Sequence, residues 1–224
     1  MARITIDLDP LVNLYRENSD LPKAVVKNAL SCEIAGADSV LIGMGHEYDQ
    51  RKRKLIALLV DSVDINLTVR TGLDDRSIDA LLDIKPAMVV FPYQSEKRDI
   101  LTNVVTNLQI ENILVGLEIP LDIEPMKDAA KLKCDYVVLN CEPYISARSL
   151  NARLDELNKI VKMVGLGGRL SLGSIAQGDF SPNLISKMNI AVQVEEYIVG
   201  LHFFNNSLIH GYSKAMDILR FALS

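Results

Sequence analysis

Tryptophan is missing from this 224-residue chain, and phenylalanine (5) and tyrosine (7) are few. A core built without large aromatic rings has to be aliphatic, and at 49% hydrophobic residues there is enough material for one sizeable core. Cysteine is scarce and odd in number: Cys32, Cys134 and Cys141 form no CxxC pair. A disulfide framework is therefore not expected, and buried free thiols in a reducing, cytoplasmic setting fit best. No apolar run is long enough to cross a bilayer. The opening MARITIDLDP reaches acid at Asp7 and is not expected to be a secretory leader. Basic residues cluster only at Arg51-Lys52-Arg53-Lys54, which reads as the solvated first turn of a helix continuing through Leu55 to Leu59. With a net charge of -5, neither nucleic acid nor an anionic membrane is an expected partner. HxH, HExxH, GxSxG and P-loop patterns are absent, so no metal and no cofactor is expected.

What the chain does have is a recurring series of short β-rich runs. They fall at Arg3–Leu8, Ser39–Gly43, Asp64–Val69, Ala87–Phe91, Asn112–Leu117, Tyr136–Asn140, Gly168–Leu172 and Ala191–Val194, with starts mostly about 25 residues apart. Most are nearly continuous Val, Ile and Leu, the pattern of strands covered on both faces in a parallel sheet. Helical stripes separate them: Lys23–Ala35, Lys52–Asp61, Ser77–Leu82, Asp99–Leu108, Pro125–Leu132, Ala147–Val164, Pro182–Met188 and Tyr212–Leu223. Eight such units predict an α/β fold, a closed (β/α)8 TIM barrel, over residues 1–224 as one domain. The alternative, an open doubly wound sheet, lacks the Gly-rich fingerprint of its nucleotide-binding form.

In this fold, chemistry gathers at the C-terminal ends of the strands. The expected mouth contains Asp7 and Asp9 after the first strand, His46 after the second, and Asn66, Thr68 and Arg70 on the third. Glu118 follows the fifth, Asn140 and Glu142 the sixth, Ser174 the seventh, and Glu195 and Glu196 the eighth. Asp9, His46, Glu118 and Glu142 are the candidate acid–base groups. Asp7, Asn66, Arg70, Asn140, Ser174, Glu195 and Glu196 are the candidate ligand contacts, with arginine suited to paired bonds with carboxylate or phosphate. Solvated loops would account for many of the same residues. Arg98 is a second basic group within expected reach of the mouth.

Several segments, in order, resemble the pyridoxine 5'-phosphate synthase family. Glu33-Ile-Ala-Gly-Ala-Asp-Ser-Val40 resembles its helix-to-second-strand segment, Asp64-Ile-Asn-Leu67 its third strand and Ile84-Lys-Pro-Ala87 the turn before its fourth. Pro92 with Ser95-Glu-Lys-Arg98, Asp135–Tyr144 and Tyr197-Ile-Val-Gly200 are similar to later family segments. The resemblance implies a barrel that condenses 1-deoxyxylulose 5-phosphate with an amino-ketone phosphate. It also implies histidine and glutamate proton carriers, two phosphate sites and self-association.

The departures fall on the chemistry. Asp9-Pro10 stands where the family has Asp-His, and Gly43, Gly45, Glu47, Asp49 and Gln50 replace a His- and Arg-rich run. Thr68 replaces a glutamate, while Asn140, Cys141 and Glu142 stand in the Glu-x-His-Thr-Gly segment. Gly173-Ser174-Ile175 replaces Gly-His-Gly, and Glu195-Glu196 is expected in place of a Gly-His pair that opens a phosphate-cradling helix. Loss of the parent condensation is expected, with a small polar molecule as the possible ligand. The alternatives are an enzyme of different specificity using the acidic strand ends, or a non-catalytic, homo-oligomeric interaction protein. Phe203 and Phe204 fit either a subunit contact or the core.

Overall fold

Eight parallel strands pair in chain order, and the eighth closes on the first. The computed structural model describes residues 1–15, 20–45 and 47–224. The order is β1 (Arg3–Asp7), α1 (Asp9–Leu14), α2 (Leu21–Ile34), β2 (Ser39–Gly45), α3 (Gln50–Ser62), β3 (Asn66–Thr71) and α4 (Asp75–Ile84). It continues with β4 (Met88–Pro92), a short 3₁₀ turn at Ser95–Lys97, α5 (Arg98–Ile110), β5 (Leu114–Ile119), α6 (Ile123–Lys131) and β6 (Tyr136–Asn140). The last elements are α7 (Glu142–Ser146), α8 (Leu150–Arg169), β7 (Gly173–Gln177), α9 (Pro182–Ala191), β8 (Glu196–Val199), α10 (Leu201–His210) and α11 (Tyr212–Ala222). This is the (β/α)8 barrel expected from the spacing. No helix of the described residues is long and apolar enough to cross a membrane.

Strand residues alternate between the barrel interior and the surrounding helices. Ile4 and Ile6 on β1 join the large aliphatic layer under the helices. The interior holds a separate apolar plug of Leu41, Met88, Val90, Val138, Ile175 and Ile198. Polar groups lie on both sides of that plug, Arg70 at one end and Thr5 and Glu196 at the other. Helix starts are fixed locally: the Asp49 carboxylate accepts from the Arg51 N–H, Asp74 from Ser77 and the Ser149 hydroxyl from Ala152. Phe203 and Phe204 are buried and pack edge-on against Tyr212, a core role.

Two strand expectations are corrected. Gly168–Leu172 is not the seventh strand: α8 runs through Arg169, and β7 starts at Gly173. Of the glycines that look like a helix break, Gly167 lets α8 approach the sheet, since a Cβ there would lie 3.0 Å from Ser174 Oγ. Ala191–Val194 is not the eighth strand either. Ala191 ends α9, and the strand is the second apolar run, Glu196–Val199. Two short apolar runs flank Glu195-Glu196, and periodicity alone does not choose between them.

Candidate functional site

At the C-terminal mouth, the last turns of β1, β3 and β5 bring their interior-facing polar residues together. Arg70 is the centre. Its Nη2 donates to Asp7 Oδ2 at 3.0 Å, Nη1 lies 3.6 Å from Asp9 Oδ2, and Nε lies 3.7 Å from Glu118 Oε2. These four side chains are each about a quarter exposed or less. Burial works against the Arg70 charge, but Asp7, Glu118 and Asp9 outweigh it, so the guanidinium is held above its ordinary value. Burial and the neighbouring Asp9 charge push the Asp7 carboxyl up, against the opposing pull of Arg70.

The Asp9 carboxylate is seated on backbone. Its Oδ1 accepts from the Gly43 N–H at 2.8 Å, and the Asp9 N–H donates to Asp7 Oδ1 at 2.9 Å. Glycine is required at 43 by that close approach: a Cβ there would lie 2.8 Å from Asp9 Oδ2. A cavity of about 360 Å³ opens beside the cluster, with Asp9, Glu118, Arg70, Thr71, Gly43 and Lys52 among its lining. Lys52 reaches it from the first turn of α3.

Of the expected site residues, the mouth thus gathers Asp7, Asp9, Arg70 and Glu118. Asn140 sits on the rim, where its Oδ1 accepts from the Glu142 N–H at 3.0 Å. Asn140 lines a different depression with Pro120 and Lys159, and Glu142 is exposed at the start of α7, so neither joins the Arg70 cluster. His46 lies outside the described residues. Arg98 does not turn to the mouth: its guanidinium is taken by the carboxylate of Asp128, which also accepts from the Tyr93 hydroxyl at 2.7 Å.

Five expected mouth residues belong to the opposite end, among them Thr68, which is buried and lines a small cavity there with Arg3, Asn66 and Glu196. Asn66 is the first residue of β3, because that strand begins two residues later than Asp64. Ser174, second in β7, faces Gly167 of α8 rather than the interior. Glu195 is exposed ahead of β8. Glu196 begins β8, buried below the apolar plug, where it accepts from the Thr5 hydroxyl at 2.6 Å and pairs with Arg3 at 3.1 Å. Burial leads in pushing its carboxyl above the usual range. A shallow depression of about 780 Å³ at that rim is lined by Met1, Arg3 and Glu195 but faces away from the strand C-termini.

After the true β8, the chain reads Gly200-Leu201, and α10 begins there. Gly200 packs closely on β1, with a Cβ position 3.5 Å from Asp7 Cβ. The N–H of His202, in the first turn of α10, donates to Asp179 Oδ1 at 2.6 Å. A carboxylate thus occupies the start of this helix, supplied by Asp179 and not by Glu195 or Glu196. Sequence reading does not single out Asp179 or Lys52. Asp179 was hidden by the misplaced β7, and Lys52 by its membership of a basic run.

The sequence model of the family described as pyridoxal phosphate biosynthesis protein PdxJ matches residues 12–224. The chain belongs to the PdxJ family. A relative named pyridoxine 5'-phosphate synthase from Geotalea daltonii is 23% identical over 229 residues, covering 96% of either chain. Relatives of the same name from Geotalea uraniireducens and Geobacter sp. strain M21 are 24% and 25% identical, over 99% of this chain and 100% of theirs. Among the described residues no group of three or more His, Cys, Asp and Glu is placed to hold a metal ion.

Proposed function

We propose that this chain is a pyridoxine 5'-phosphate synthase-like barrel that has lost the parent condensation and binds a small polar ligand at its mouth. The Asp179 carboxylate on the start of α10 carries the reading. The family resemblance places a phosphate at the helix start after the eighth strand, and here that N–H is already bonded at 2.6 Å. A phosphate arriving there would meet like charge in a partly dry site. Arg70 offers no relief, since its guanidinium faces Asp7, Asp9 and Glu118. The proton-transfer positions also point to loss. Thr68 is a buried hydroxyl where the family has a glutamate, and Asn140 and Cys141 supply no histidine. Several such losses together remove most of a reaction's transition-state stabilisation.

Calorimetric titration with a sugar phosphate tests this reading. Wild type should bind weakly, and Asp179→Ala should bind more tightly because the helix start is vacated. Equal binding by the two proteins counts against it. A second reading, an enzyme of different specificity, is favoured by Asp7. Its carboxyl is pushed up by burial and by Asp9 and lies beside a cationic guanidinium, a pairing suited to proton transfer. Self-association belongs to the proposal as well: Leu14, Leu208 and Ile209 are exposed on neighbouring helices. Light scattering that shows a monomer across the working concentration range would remove that part.

A further inference from the structure

Lys52 lines the mouth cavity and, among the described residues, its ammonium has no ion-pair partner. The same cavity is lined by Asp9 and Glu118. Glu118 approaches Arg70 Nε only at 3.7 Å, beyond hydrogen-bond reach, so its acceptor capacity is open. Arg70 Nε is itself buried without a hydrogen-bond partner. Three carboxylates (Asp7, Asp9 and Glu118) face two cations (Arg70 and Lys52), so the site carries a small formal excess of negative charge. Among the described residues, its polar groups are divided between an unpaired donor and under-used acceptors.

We propose that this cavity, which the reading above takes as the ligand site, holds a small zwitterion: a carboxylate on Lys52 and an ammonium on Asp9 and Glu118. An ammonium only donates and a carboxylate only accepts, so each end matches its wall. A phosphate dianion adds negative charge beside Asp9 and Glu118. A simple amine satisfies the carboxylates but leaves Lys52 facing another cation, and an uncharged polyol leaves Lys52 without a counter-charge. The size agrees: about 360 Å³ is at the small end of the range for ligand pockets, about 300–1,000 Å³. That admits an amino-acid-sized molecule.

Calorimetric titration of the full chain with 4-aminobutyrate, ethanolamine and butyrate tests the assignment. The zwitterion should bind at least about tenfold more tightly than either half-ligand. Lys52→Met, a change in a solvated helix turn, should weaken 4-aminobutyrate by about tenfold and leave ethanolamine unchanged or tighter. Glu118→Gln should weaken both amines. Thermal melts of each variant show whether the fold is retained, and Lys52→Met alone decides the matter if Glu118→Gln does not fold. Equal binding of the three probes, no binding of any, or an unaffected Lys52→Met overturns the zwitterion while leaving the lost-condensation reading intact. Tighter binding of a sugar phosphate than of 4-aminobutyrate overturns both.

Discussion

Replacing Gly43 with alanine should dislodge Asp9 and, through it, loosen the mouth cluster. The new Cβ would lie 2.8 Å from Asp9 Oδ2 and 3.2 Å from Oδ1. The backbone at Gly43 does not need glycine for its own conformation, since the positive-φ glycines are Gly36, Gly45 and Gly211. The cost therefore comes from the displaced carboxylate, which must leave its 2.8 Å bond from the Gly43 N–H. A hydrogen bond to a charged group contributes about 1.5–3 kcal/mol. The Asp9 side chain is 26% exposed, so water replaces part of it. The expected loss is about 1–2 kcal/mol, which for a chain of this size lowers Tm by about 2–8 °C. The decisive assay is a double-mutant cycle by urea unfolding. In an Asp9→Ala background the carboxylate is already gone, and Gly43→Ala should cost little. An equal cost in both backgrounds would refute the reasoning, because the penalty would then arise elsewhere.

Three further outcomes follow from the buried groups. Burial pushes the thiols of Cys32, Cys134 and Cys141 up to about 12, so iodoacetamide at neutral pH should leave all three unmodified until the chain is unfolded; rapid labelling of the native protein, read by mass, would contradict this. Because burial raises the Glu196 carboxyl above its ordinary 4.5, its contribution to stability is complete below that value and is lost as pH rises through the raised one. The stability of Glu196→Gln relative to wild type should therefore improve as pH rises from below 4.5, and a decline in relative urea midpoints would contradict it. Arg98→Ala should destabilise the fold by stranding Asp128, whose side chain is 1% exposed with Lys131 no closer than 3.7 Å. Adding Asp128→Asn should recover part of the loss in denaturant unfolding, since a neutral amide needs no counter-charge.

The barrel was legible because its signal is redundant. Eight aliphatic runs and the intervening stripes agree, and misplacing two strands by about five residues leaves the count intact. The site depends on register and is less legible. Asp7, Asp9, Arg70 and Glu118 were placed at the mouth because β1, β3 and β5 were bounded nearly correctly at their C-terminal ends. Ser174, Glu195 and Glu196 were sent to the wrong end because α8 carries Gly165, Gly167 and Gly168 inside a helix, and because AVQV looks as much like a strand as EYIV does. Glu195 and Glu196, expected at the start of the helix after β8, lie at the other end of that strand, and the carboxylate at the helix start is that of Asp179. Asp179 comes from the preceding loop, a tertiary contact that no local pattern announces.

Loss of the family's condensation is tested most directly by looking for its product. Purified protein is incubated with 1-deoxyxylulose 5-phosphate and the amino-ketone phosphate, and pyridoxine 5'-phosphate is sought by mass. With Asp179 on the α10 start and Thr68 in place of a glutamate, none should be detected. Formation of the product at a rate within about a hundredfold of ordinary enzyme turnover, about 1–10³ s⁻¹, would contradict the loss.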